Sequence, residues 1–316
     1  MICVSFSNEY VSYGQLIKEG NEYIIETVQK LPLTHPFLPE NINNPEFTES
    51  LTRAFQDILS GLPKPDSYVA LVLPSIWFDI SIQSTDAGLS EEDQEETLNW
   101  KVAKRLGTAF DRKFVQYYPI PSSDTAQDFL TVSYFKEIGK KLLTASQAVG
   151  LNINIIDIDL FSAAAAIERL EGIKANERWA VWLIDDQIHD LLVIDQGNFR
   201  QYCRFSFADI ETYRILHKSS ADDISEKIVA ELNGIRTFEI ESFSAVDRVY
   251  FYSHSVDSEF FNMLLTYDIE NLKTIDTFEK YKPEKLYEED GDGIGAMCQF
   301  IELLGLMFRK MPKDPE

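Results

Sequence analysis

Apolar positions in this chain alternate over short runs, then recur at helical spacing, and this succession occurs twice. Near the N-terminus, residues 2–6, 10–17 and 22–29 read as three successive strands, with Gly20-Asn21 turning the second into the third. A loop broken by Pro32, Pro36, Pro39 and Pro45 leads into a helix. Its Phe47, Leu51, Ala54, Phe55, Ile58 and Leu59 share one face, and Gly61 stops it. Residues 68–73 form an apolar strand closed by Pro74. The later part repeats the order, with strands at 179–184, 189–195 and 198–205 and a turn at Gln196-Gly197-Asn198. A helix at 222–240 follows, with Ile224, Ile228, Leu232, Ile235 and Phe238 on one side. Then come a strand at 248–252, a helix at 258–265, a strand at 271–275 and a helix at 296–309.

Each half therefore reads β-β-β-α-β with further elements behind it, a duplication of architecture with little shared lettering. The first half ends in a strand at 152–157 and a helix at 160–170, whose run Ala163 to Ala166 suits close packing. Between Pro74 and Gly150 it carries an extra piece: strand 77–83, helix 90–106, strands 113–118 and 129–135, and helix 136–149. Ser90 with Asp93 three residues on approximates a capping box. The acids Glu91, Glu92, Asp93, Glu95 and Glu96 read as a solvated first turn that complements the helix dipole. The expected division is a first domain over 1–172, with an inserted α/β subdomain at 75–150, and a second domain over 173–316.

Composition narrows the partners. The 316 residues include 29 Lys and Arg against 52 Asp and Glu, a net charge of −23. Such a surface repels phosphate backbones and anionic lipid, which argues against nucleic acid. Cys3, Cys203 and Cys298 lie far apart with no ligand-like neighbours, and read as buried thiols in a reducing compartment. The first residues lack the basic and apolar regions of a signal peptide. The greasiest segment, 294–308, is interrupted by Gln299 and Glu302 and falls short of the ~20 apolar residues of a bilayer span. The expectation is a soluble cytoplasmic protein without direct membrane insertion.

Two β-β-β-α units, the first with a small insert, resemble the actin-like ATPase superfamily, a duplicated ribonuclease H-like fold. Within it the chain is most similar to the type IV pilus assembly PilM family and the cytoplasmic part of the type II secretion GspL family. The pieces that carry the resemblance run in order along nearly the whole chain. They are the strand from Val69 to Leu73 with Pro74, the helix from Glu95 to Leu106 around Trp100, and the stretch from Gly150 to Asp159 followed by Ala163-Ala164. Gly197 through Arg204-Phe205 and the helix from Ile224 to Phe238 complete them. These are matches of order and texture, and none is a catalytic fingerprint.

The resemblance also says where a nucleotide would be held, and there the chain departs from the pattern. Members of the superfamily grip phosphates with two hairpin turns, each usually Asp-x-Gly, whose glycine lets backbone N–H groups approach the oxygens. Here the first turn is Ser5-Phe6-Ser7-Asn8-Glu9 and the second is Asp185-Asp186-Gln187-Ile188-His189-Asp190. The purine-side turn is Ser253-His254-Ser255-Val256 in place of a Gly-Gly pair. The expectation is a vestigial cleft around Asp185, Asp186 and Ser253, with no cofactor and no catalytic residue.

Other motifs give less. The stretch Asp290-Gly291-Asp292-Gly293-Ile294-Gly295 lacks the Gly-Lys-Ser/Thr ending of a P-loop and a bidentate Glu for calcium. His35, His189, His217 and His254 sit in separate elements, so no metal site is expected. Asp157 and Asp159, two apart on a strand, are candidates for a carboxylate pair on one face or for helix caps. Trp100 is expected to pack in its helix, and Tyr117-Tyr118 and Phe260-Phe261 to serve packing. By resemblance, PilM grips a short cytoplasmic tail of an inner-membrane partner in a groove between its subdomains, and GspL docks a secretion ATPase. The leading expectation is a non-catalytic scaffold, peripheral to the inner membrane through a protein partner of either kind, with the insert as docking face. The alternatives are a divergent ATPase or small-molecule kinase in which Asp185 or Asp186 holds Mg²⁺, and a structural member of another bacterial family.

Overall fold

In this computed structural model, which describes residues 1–311 apart from 21, 64, 123, 186–187, 209–211, 238–239, 256–258 and 287–296, the first three strands form an antiparallel meander. They are β1 (Ile2–Phe6), β2 (Tyr10–Glu19) and β3 (Glu22–Pro32). Every β1 position is buried, because its strand alternation feeds two apolar layers. Ile2, Val4 and Phe6 face one cluster with Phe47, Leu51 and Phe55 of α1 (Phe47–Gly61), while Cys3 faces the other. β4 (Tyr68–Leu73) then pairs parallel with β1.

The insert follows as β5 (Phe78–Asp86), α2 (Glu91–Leu106), β6 (Lys113–Ile120), β7 (Ala126–Phe135) and α3 (Lys136–Ala148). Its strands make a separate antiparallel sheet in the order β5-β7-β6. The Ser90 hydroxyl caps α2, accepting from Asp93 N–H at 3.2 Å and donating to the Asp93 carboxylate at 2.6 Å. The chain returns through β8 (Asn152–Ile158), parallel to β4 and at the edge of the first sheet, into α4 (Asp159–Glu171).

The second half builds β9 (Arg178–Ile184), β10 (His189–Asp195), β11 (Asn198–Phe207), β12 (Tyr213–Lys218), α5 (Ile224–Arg236), β13 (Arg248–Ser253), α6 (Glu259–Thr266) and β14 (Leu272–Lys273). Its sheet runs β12-β11-β10-β9-β13-β14, and the order β3-β2-β1-β4-β8 of the first sheet repeats in β11-β10-β9-β13-β14. Directions repeat too, with an antiparallel meander and then parallel neighbours. The β10–β11 turn puts Gln196 and Gly197 at φ 52° and 73°, the left-handed pair that a tight hairpin requires.

Three features depart from the sequence pattern. β12, at the sheet edge, has no fully buried position and so gave no apolar alternation to read. β15 (Lys285–Leu286) leaves the second half to pair with β3 of the first sheet. The last helix, α7 (Ile301–Phe308), also packs on β1, β2 and β4 and crosses α4, so it lies against the first sheet although it follows the second in sequence. At the crossing, a Cβ added to Gly305 would sit 1.8 Å from the Ser162 carbonyl oxygen. Among the described residues no helix is long and apolar enough to cross a membrane.

Candidate functional site

Two concave regions lie near the junction of β4, β8 and the insert. The first is a cleft of about 350 Å³ between the halves, bounded by Asn8, Ser75, Asp159, Asp185, Asp190 and Arg204. Several of the polar side chains that line it bond to one another. The β1–β2 turn is tight, with Ser7 N–H on the Tyr10 carbonyl at 2.9 Å. From it the Asn8 amide donates to Asp185 at 2.8 Å, joining the β1–β2 turn to the end of β9.

Deeper in the cleft, the two halves meet at Ser75. Its N–H donates to Asp159 at 2.8 Å, and its hydroxyl lies 3.0 Å from Asp190 and 3.2 Å from Asp159. Asp190 also receives the Tyr202 hydroxyl at 2.5 Å and Arg204 Nε at 2.8 Å, while Arg204 Nη2 reaches the Ser75 hydroxyl at 3.2 Å. Burial, together with the nearby Glu302 and Asp190 carboxylates, pushes Asp159 up to about 8, so it is largely neutral at pH 7. A neutral Asp159 leaves the single Ser75 hydroxyl proton for Asp190, the closer acceptor and the one ion-paired to Arg204. Burial would lower the Arg204 pKa, but Asp190 overrides it and holds the guanidinium charged.

A second cluster ties the halves around α7. Glu302, 1% exposed, accepts from Ser5 at 2.5 Å and from Tyr252 at 2.7 Å, and it pairs with His254 at 2.7 Å. Burial alone would depress the His254 pKa; the Glu302 carboxylate outweighs it and raises it to about 9. Burial likewise opposes ionisation of Glu302, but His254 and the donated hydrogen bonds hold its pKa below the usual value. Lys30 of β3 completes the junction, donating to the His254 carbonyl at 3.0 Å and to Gln299 at 2.5 Å.

The second concavity is an apolar groove of about 630 Å³ between the inserted sheet and edge strand β8. Phe78, Phe114, Leu130 and Tyr134 form one wall and Ile153 and Ile155 the other. Phe114 and Tyr118 are each 48% exposed and Leu143 44%, an unusual concentration of bare apolar surface. At one end Asp157 accepts from Arg309 Nε at 2.8 Å.

The residues singled out in the sequence take up the following places. Asp185 is in the cleft, bound to Asn8; Asp186, Gln187 and Val256 fall outside the described residues, as does the glycine-rich stretch 290–295. Ser253 turns inward on its own loop, donating to the Ser255 carbonyl at 2.7 Å. Asp157 and Asp159 do not form a pair, because β8 ends between them: Asp157 points to the groove and Asp159, at the first turn of α4, to the cleft. Trp100 is 61% exposed; α2 buries Leu98 and Val102, and a residue midway between two such positions faces the opposite side. Tyr118 is also exposed, whereas Phe261 is buried and Phe260 packs on Trp182 at 5.8 Å. Cys3, Cys203 and Cys298 are buried thiols outside any disulfide. His189 sits between Phe205 and Phe207, pushed down to about 4 by burial. Ser75, Tyr202 and Asp190 carried no spacing signal; Glu302 did, as an acid inside an apolar helix.

No protein-family model matches the chain, and no curated protein matches it. Among solved structures it is similar to a chain of the PilM–PilN type IV pilus biogenesis complex, with 14% identity and a TM-score of 0.68, over 98% of this chain and 97% of that one. It is also similar to a Bacteroides thetaiotaomicron protein with an actin-like ATPase fold and unknown function, at 11% identity and a TM-score of 0.46, over 94% and 93% of the two chains. A third is the cytoplasmic domain of EpsL, an inner-membrane component of the Vibrio cholerae type II secretion system, at 9% identity and a TM-score of 0.45, over 99% and 96%. The first match shows the fold: an α/β actin-like ATPase fold of two halves, as the order of elements in the sequence implied.

Proposed function

We propose that this chain is a non-catalytic scaffold that holds a short, extended, apolar segment of an inner-membrane protein in the groove between β8 and the inserted sheet. The observation that carries this reading is the groove itself. It offers half-exposed aromatic and aliphatic side chains beside a strand that has no neighbour on its outer edge among the described residues. A sheet edge supplies backbone hydrogen bonds to an extended chain, and flanking pockets select its side chains. The structural neighbour in a PilM–PilN complex supports placing the scaffold in a type IV pilus-like assembly. The bonding across the cleft supports the absence of ATP hydrolysis, since Asn8 is engaged with Asp185, and Arg204 with Ser75 and Asp190.

Photo-crosslinking tests it. A photoreactive phenylalanine analogue at Leu143, introduced in the native host, should join one defined segment next to the transmembrane helix of a membrane protein. A synthetic peptide of that segment should then bind the purified protein, and Phe114→Asp should weaken it about tenfold or more by placing a charge on the apolar wall. A crosslink to no membrane protein, or a peptide indifferent to Phe114→Asp, contradicts the reading.

A further inference from the structure

The groove and the interlobe cleft share a hinge point. β8 lines the groove up to Ile158, and the next residue is Asp159 in the cleft. The other wall begins at Phe78, reached from Ser75 by one short turn. That turn is fixed by Trp77 N–H on the Pro74 carbonyl at 3.0 Å and by the Trp77 indole on the Phe37 carbonyl at 3.3 Å. The two walls are therefore fastened together at their base by the hydrogen bond from Ser75 N–H to Asp159. The same serine's hydroxyl is engaged by Asp190 and Arg204, which belong to strands β10 and β11 of the other half. Ser75 is 1% exposed and Asp159 fully buried, so water cannot replace these partners without movement of the chain. At the same end of β8 a second tie is similar in kind. Arg309, just past α7, holds Asp157 on the groove, while Glu302 in α7 is held by Tyr252 and His254 of the second half.

We propose that the second half controls the width of the groove through Ser75, so that the Asp190–Arg204 pair and a segment in the groove bias one another. The proposal rests on the groove being the partner site and adds its regulation. In this arrangement a link between the halves that elsewhere could come from a bound ligand is made by side chains of the chain itself. Any partner that shifts the second half then opens or closes the groove. Coupling of this kind needs a shared two-state element and not merely proximity, and the Ser75 turn is the element common to both regions.

The test uses spin labels on Gln116→Cys in β6 and Asn154→Cys in β8, both exposed and on opposite sides of the groove; the three native cysteines are buried. Distances are measured by pulsed electron resonance in this background, with Ser75→Ala and, separately, Asn8→Ala. Ser75→Ala keeps the backbone bond to Asp159 and removes only the hydroxyl that reaches the second half. Asn8→Ala cuts a different interlobe bond, made by residues that do not line the groove. The expected result is a shifted, broadened distance distribution for Ser75→Ala and an unchanged one for Asn8→Ala, with faster amide exchange in β5 and β8 of the serine variant. An unchanged distribution in Ser75→Ala, or equal broadening in both variants, overturns the proposal. The partner reading stands or falls separately on the crosslinking: a groove that captures a segment but keeps its width rejects the coupling alone, and one that changes width but captures nothing rejects the partner alone.

Discussion

Glu302 is a carboxylate inside a helix that is otherwise Ile, Leu, Gly, Met and Phe, and it persists there because three side chains donate to it. Removing one partner of a buried pair leaves the other uncompensated, at a cost of about 3–5 kcal/mol. Glu302→Gln, which strips the charge facing His254, should lower stability by an amount of that order in urea denaturation. A variant as stable as the parent would mean that the cluster contributes nothing. The same groups set a pH dependence. His254 has its folded pKa raised from 6.5 to about 9, so the stability it adds is complete below 6.5 and lost as pH rises through about 9. Asp159, raised from 3.8 to about 8, acts in the same direction, with its contribution lost as pH climbs through about 8. His189, lowered to about 4, acts in the opposite sense: its contribution is present above 6.5 and lost as pH falls. Unfolding free energy should therefore decline most steeply between pH 6.5 and about 8, where His254 and Asp159 combine. Glu302→Gln should flatten that slope, and an equally steep profile in the variant would contradict the assignment. At this scale the sequence was legible only in part. It exposed Glu302 as an interruption, but it left Asp157 and Asp159 as either a pair on one face or caps, because pattern alone does not say on which side of the strand end each acid falls.

The crossing of α4 and α7 shows what elements contribute. Ser162 donates to the Glu302 carbonyl at 2.8 Å, and Ala163 and Ala166 are fully buried. Gly305 lets the backbones touch, since a Cβ there would press on the Ser162 carbonyl carbon at 2.6 Å as well as its oxygen. Backbone cannot rotate aside as a flexible side chain can, so Gly305→Ala should cost about 1–3 kcal/mol or more. Thermal and urea unfolding would show it, and a neutral effect would mean that the helices separate freely. The alanine run was readable as a close-packing signal, whereas its glycine counterpart, over a hundred residues later, was not. Elements with apolar stripes, such as α1 and β4, follow their pattern closely. β12 escaped because an edge strand with no fully buried position has no contrast to display. Trp100 misled because size suggests burial, while Leu98 and Val102 had already claimed the inward face of α2.

At the scale of the molecule, the repeated strand order was legible because each half must bury a sheet on both faces, which imposes the same sequence of apolar runs. The return of β15 and α7 to the first sheet was not, since it is a long-range choice made by complementary surfaces. That return clamps the halves together, and the cleft between them is lined by bonds of Asn8 to Asp185 and of Ser75 to Asp190 and Arg204. The actin-like fold thus stands here with bonds between the halves along its cleft and its open apolar surface elsewhere, along β8. Calorimetric titration of the intact chain with Mg²⁺ and ATP examines this directly. The account predicts no saturable heat up to about 1 mM nucleotide, the weak end of the affinity scale. A single site of micromolar affinity, abolished by Asp185→Ala, would contradict it and make the cleft a working nucleotide site.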